Sequence, residues 1–267
     1  MLRKLLKHEF RSTSRIILPL FLVILVLSFF VSIVVHNGEN VTNPVLTALF
    51  VIITSAYGIA LAAVFVVLLV LMINRFRTNL LGDEGYVMFT LPVSIHQLVW
   101  SKIIVSCAWC LLTLVVVGIS GIIVAFDVSF IDQLRELWAE LWRYLDVYYA
   151  LNGTAILIEA LILFFVGYAA GCLQFYAAMA VGHSFDRRKT LMSVLFFFGF
   201  QFVMQLIVSI PMFSGSFEAF MNTYFLTQGT MSSVHLFFGL SILFTLIYGA
   251  IFYVITTQML QKRLNIE

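Results

Sequence analysis

A chain of 267 residues that is 62% apolar and only 10% charged cannot be a water-soluble globule, where about 25% charged residues is usual. Its 15 basic and 13 acidic residues, net +2, are clustered, leaving charge-free stretches at 16–38, 40–74, 103–126, 160–185, 190–217 and 219–261. Each stretch is long enough to cross a bilayer. Lacking strand-like alternation, such runs satisfy their backbone groups in hydrocarbon as helices. The expected fold class is an all-α membrane protein, one six-span domain over 1–267, with spans at about 16–35, 45–73, 103–126, 154–182, 191–212 and 235–257. The second and fourth are overlong for a hydrocarbon core of about 30 Å and should tilt or protrude.

In residues 1–15, Leu2, Leu5, Leu6 and Phe10 fall on one helical face and most cations on another, the pattern of an N-terminal interfacial helix. The run that follows lacks an A-x-A-like cleavage site, so it is expected to be an uncleaved anchor. The inner loop from Asn74 to Lys102 is far longer than two adjacent helices need, and it carries apolar residues that require a partner surface or the membrane interface. Within it, Gly82-Asp83-Glu84 can start a short helix whose positive end favours the acids, and Pro92 ends it. Ser94-Ile-His-Gln97 has the S-x-x-Q spacing of a capping box, placing the start of the third helix before Trp100 and Lys102.

Cys107-Ala-Trp-Cys110 in the third span has C-x-x-C spacing, but no second Cys or His pair accompanies it, so packing thiols are expected and no metal site. Ile131, Leu134, Trp138, Leu141, Leu145 and Tyr148 recur at three- and four-residue steps within 127–153, predicting an outer amphipathic helix that is either an interface anchor or a lid over an exit path. Glu159 is the one acid inside a predicted span and a candidate pathway residue, although at shallow depth it can reach water at little cost. Gly167-x-x-x-Gly171, Ala178-x-x-x-Gly182 and the alanines Ala56, Ala60 and Ala63 are small-residue surfaces for helix pairing, within the subunit or between subunits.

Thirteen of the fifteen Lys and Arg residues lie in 1–15, 74–102, 183–190 and the tail, while only Arg135 and Arg143 lie in the alternate segments. By the positive-inside rule both termini are expected in the cytoplasm. No basic cluster beyond this asymmetry points to nucleic acid.

The run Glu84-Gly-Tyr-Val-Met-Phe-Thr-Leu-Pro-Val-Ser94, with Gln97-Leu and Ser101-Lys102 after it, resembles the cytoplasmic loop of bacterial ATP-binding-cassette permeases of the type-2 exporter family. The resemblance implies a permease subunit of the bacterial cell membrane, in which Asp83, Glu84, Gly85, Tyr86, Val87, Met88, Phe89, Leu91 and Pro92 form a coupling helix that docks a separate ATPase subunit. It further implies a second, most simply identical, permease subunit, contact with membrane lipid, and ATP and Mg held by the partner. The chain itself contains no G-x-x-x-x-G-K-[ST] phosphate loop.

Two other classes compete. Gly118-Ile-Ser-Gly121 matches a rhomboid-like pattern, so Ser120 and His235 could serve an intramembrane serine protease, although the serine sits on the third span instead of the fourth. A scaffold or immunity protein without an ATPase would not need an apolar inner loop. Abundant aromatic residues, 27 of them Phe, and spans almost free of charge lead to the expectation of an amphipathic or hydrophobic substrate.

Overall fold

Where no water is available, the backbone of each apolar run must bond within itself, and the chain accordingly builds long helices. They are α1 (Leu2–Asn37), α2 (Pro44–Phe76), a π-helical turn (Arg77–Leu81), α3 (Ile95–Ala125), α4 (Phe130–Arg143), α5 (Gly153–Gly182), α6 (Lys189–Phe213), α7 (Ser216–Gln228) and α8 (Thr230–Lys262). The computed structural model describes residues 2–37, 43–82, 85, 90, 93–125, 130–144, 153–185, 188–228 and 230–262, among which there is no β-strand.

Among the described residues, six helical stretches are long and apolar enough to cross a membrane: Arg3–His36, Pro44–Leu81, Ile95–Ala125, Gly153–Gly182, Lys189–Ile210 and Ser232–Lys262. The architecture is that of a multi-pass membrane protein. Five of these have 30 to 38 residues and only the fifth, with 22, is near the minimum, so excess length is general and not confined to the second and fourth spans.

The chain divides into two compact units. The first comprises Met1–Arg75 and Trp100–Glu136. Its buried apolar residues are Ile17, Phe21, Ile24 and Val31 of α1, Val64, Leu68 and Met72 of α2 and Ile103 and Trp109 of α3. Lipid tails are as apolar as leucine, so close packing and interhelical hydrogen bonds hold such a core more than water exclusion does. Trp109 supplies both, stacking on Phe10 with centroids 4.9 Å apart and donating its indole N–H to Thr13 Oγ1 at 2.7 Å. Tyr57 OH and Ser120 Oγ share a 3.0 Å hydrogen bond between α2 and α3.

The N-terminal segment differs from the expectation of a separate interfacial helix. It runs without a break into the first span as a single 36-residue helix. Thr13 Oγ1 and Ser14 Oγ donate back to the carbonyls of Glu9 (2.9 Å) and Arg11 (3.0 Å), which lets these polar residues continue the helix instead of capping a new one.

The second unit comprises Phe76–Val99 and Leu137–Glu267. Here α5 packs along α8 and α6, and α7 packs on α6 and α8. Aromatic contacts link the helices: Phe175 stacks on Phe197 at 4.4 Å, Phe200 meets Phe252 at 5.2 Å, and Phe76 lies nearly parallel to Tyr176 at 4.1 Å and 6°. The two small-residue motifs of α5 behave differently. A Cβ on Gly182 would stand 2.3 Å from Ser193 Oγ, so α6 needs the glycine, whereas Cβ atoms on Gly167 and Gly171 would meet nothing within 4 Å.

The segment expected to form an outer amphipathic helix contains α4, on which Leu134, Leu137, Trp138 and Leu141 are exposed; 126–129 and 145–152 lie outside the described residues. The Trp142 ring lies over the start of α5, where a Cβ on Gly153 would overlap it at 2.0 Å. Helix α7 is an addition to the sequence expectation. It follows a turn at Gly215, whose φ of 65° suits glycine, and its first turn carries Glu218 at the favourable end of the dipole.

Candidate functional site

The inner loop begins where α2 passes into the π-helical turn, burying Asn79 and Leu80. Gly82 breaks the helix with extended backbone (φ −99°, ψ −170°) and accepts a 2.8 Å bond from the Gly85 N–H. Gly85 is buried and helical, and a Cβ there would approach the Leu80 carbonyl oxygen to 3.0 Å, so the chain doubles back tightly over the π turn. Of the expected docking stretch, Gly85 is the member so placed; Asp83, Glu84, Tyr86, Val87, Met88, Phe89, Leu91 and Pro92 lie outside the described residues.

The far end of the loop follows the sequence expectation. Ser94 Oγ accepts the Gln97 N–H at 3.3 Å and the Ser94 carbonyl accepts Leu98 N–H at 3.2 Å, so α3 starts at Ile95. One residue into that turn, His96 Nδ1 and Tyr253 OH share a 2.6 Å hydrogen bond, fixing the start of α3 to α8.

In the first unit, the Lys102 ammonium donates to Glu9 Oε1, and both side chains are excluded from solvent, at 2% and 3% exposure. A buried carboxylate and ammonium are tolerated only as a pair. The pair therefore fixes α1 to the start of the membrane-crossing part of α3, with Trp109–Thr13 about two turns further along.

In the second unit, Glu159 is joined to His235, whose Nδ1–H donates to Glu159 Oε1 at 2.8 Å, both side chains being 27% exposed. Glu159 Oε2 is buried and has no hydrogen-bond partner among the described residues. A carboxylate oxygen left so is an acceptor site open to a ligand N–H or O–H. Of the expected protease pair, His235 bonds Glu159 in the second unit, and the wholly buried Ser120 bonds Tyr57 and the Val117 carbonyl in the first.

Deeper in the same unit, Tyr248 OH donates to Gln174 Oε1 at 2.5 Å and Gln174 Nε2 donates to Gln201 Oε1 at 3.1 Å. Of these, Gln201 and Tyr248 border a cavity of about 300 Å³ that Gly167, Gly171, Gln205 and Thr245 also line. The recess offers uncharged hydrogen-bonding groups against an apolar wall.

No protein-family model, curated protein or solved structure matches this chain. Its functional assignment therefore rests on its own residues. Cys107 and Cys110 are free thiols, and no group of three or more His, Cys, Asp or Glu residues among the described residues is arranged to hold a metal.

Sequence reasoning missed three of these features. Glu9 is the only acid among five cations in 1–15, and Lys102 is a cation at the edge of an apolar span; their isolation was the available signal for the pair. The Glu159–His235 pairing joins residues 76 positions apart, and no local pattern marks it. The cavity at Gly167 and Gly171 was hidden by the usual reading of small residues as packing surfaces.

Proposed function

We propose that this chain is the permease subunit of an ATP-driven exporter of the bacterial cell membrane, with both termini cytoplasmic and a second copy completing the pathway. The observation that carries the reading is the inner loop. A tight π turn and Gly85 at one end and the Ser94 cap at the other hold a stretch that is rich in apolar residues and too long to be a connector. Its sequence, Glu84 to Ser94, resembles the coupling region of type-2 exporters, and residues 83–92 are assigned as the helix that docks a separate ATPase carrying ATP and Mg.

The ends of that loop are rooted in two spans, so force applied to it would reach α2 and α3 directly. Residues 2–15 lie at the inner surface as the start of α1, and α4 lies at the outer surface as an anchor or lid. The substrate is an amphipathic or hydrophobic peptide or lipid, a reading supported by the uncharged recess at Gln201, Gln205 and Tyr248 and by spans almost free of charge. Reconstituting the complex with Glu84→Lys or Phe89→Asp tests the assignment: hydrolysis should uncouple from transport while insertion and expression stay near normal. Unchanged transport in both variants would remove the basis for a coupling helix.

A further inference from the structure

Where α5 ends and α6 begins, the second unit holds a cavity of about 140 Å³ with two unlike walls. One is apolar, with Leu81 from the π turn and Met259 and Leu260 from α8; the other is polar, with His183 and Ser184 after α5 and Lys189 at the first position of α6. Arg188 immediately precedes α6 and its carbonyl accepts the Met192 N–H at 3.0 Å, which places two consecutive cations at the positive end of the helix dipole. Cations at that end are unfavourably placed against the dipole, and an anion bound there would relieve the repulsion.

A further cation bears on the same point. The His183 imidazole is held below its ordinary pKa by burial first, and also by Lys189 and by Arg77 of the π turn, against the opposing effect of its hydrogen bond to the Met179 carbonyl. Arg77 and Lys189, from two different elements, therefore both lie within electrostatic range of this ring. Neither they nor Arg188 form an ion pair among the described residues, whose ion pairs lie elsewhere. The recess is cationic, lacks a counter-ion among those residues, and is lined in part by apolar side chains.

We infer that this cavity binds the phosphate of an anionic phospholipid from the adjoining leaflet, with the phosphate against Lys189 and Arg77 and the glycerol and upper acyl chain along Leu81, Met259 and Leu260. Lysine supplies a point charge and arginine a planar donor set for phosphate oxygens. A basic pocket between helices on the cation-rich side is the setting in which lipid phosphates are held, and the apolar wall distinguishes a lipid from a freely soluble phosphate. The assignment does not depend on the exporter reading and stands if that reading fails.

The test uses the full chain in nanodiscs of phosphatidylcholine with increasing phosphatidylglycerol, reading retained lipid by native mass spectrometry and the thermal unfolding midpoint. The wild type should retain phosphatidylglycerol and gain stability. The exposed-site variants Lys189→Met and Arg77→Gln should each keep the unfolding midpoint seen in pure phosphatidylcholine but bind phosphatidylglycerol about fivefold more weakly, on the scale of one cation withdrawn from a lipid phosphate. Arg3→Gln with Lys4→Gln, which removes charge elsewhere, should retain the wild-type response. Undiminished retention in Lys189→Met and Arg77→Gln, or an equal loss in the Arg3/Lys4 control, would overturn the site. Equal stabilisation of the wild type by inorganic phosphate in pure phosphatidylcholine would overturn the lipid assignment in favour of a soluble phosphate.

Discussion

Glu9 and Lys102, 93 residues apart in sequence, meet in an ion pair from which water is excluded on both sides. Their burial turns what reads as part of a basic N-terminal stretch into a fixed joint between α1 and α3. Deleting either partner removes the opposite charge from the other, at a cost of about 3 kcal/mol, whereas deleting both removes the mismatch. Glu9→Gln and Lys102→Met should therefore each lower the unfolding midpoint in a fixed detergent clearly, and the double variant should lose much less than their combined effect. Additive losses would mean that the two residues act separately.

The α5 glycines allow a contrast within one helix. A methyl group at Gly182 would fall 2.3 Å from Ser193 Oγ and 2.4 Å from its backbone nitrogen, so Gly182→Ala should destabilise by about 2 kcal/mol through overpacking. Gly171→Ala meets open space and should be neutral, or stabilising by up to about 1 kcal/mol through helix propensity. Thermal unfolding of the two variants side by side checks this; equal losses would contradict the different packing of the two ends.

Orientation is the third prediction. The 13-to-2 split of Lys and Arg between alternate segments predicts that reporters after Glu267 or within 183–190 remain cytoplasmic and one near Arg135 is exported. The reverse pattern would invert the topology and place the inner loop outside.

His183 gives a pH dependence with a definite sign. Its folded pKa is lowered from 6.5, with burial the largest cause, so the unfolded chain binds the proton more readily. The contribution is fully present above the unfolded pKa and is lost as pH falls from there through the lower folded value. His183→Gln should flatten this acid-side loss in unfolding midpoints measured from neutral pH downward. A variant with the wild-type slope would place the responsible group elsewhere.

Much of the architecture was legible in the residues because bilayer physics is simple: charge-free runs of sufficient length become helices, and the Ser94 cap marked the start of α3. What escaped was set by side-chain satisfaction. The amphipathic stretch 1–15 suggested an interfacial helix, but Thr13 and Ser14 bond their own helix backbone and α1 is one element. The turn at Gly215 and the acid at Glu218 were available as signals for α7, but an apolar stretch from 219 onward obscured them. At the candidate site, the loop's length and composition were readable, while Glu9–Lys102 and Glu159–His235 arise from tertiary proximity that periodicity does not encode.

The central claim, that this chain is driven by a separate ATPase, is tested most directly by purifying the tagged protein from its native membranes and identifying stoichiometric partners. The account predicts an ATP-binding-cassette ATPase bound to the wild type and lost from Phe89→Asp, with the variant inserted at normal levels. Absence of any such ATPase, or its retention at wild-type stoichiometry by Phe89→Asp, would contradict it.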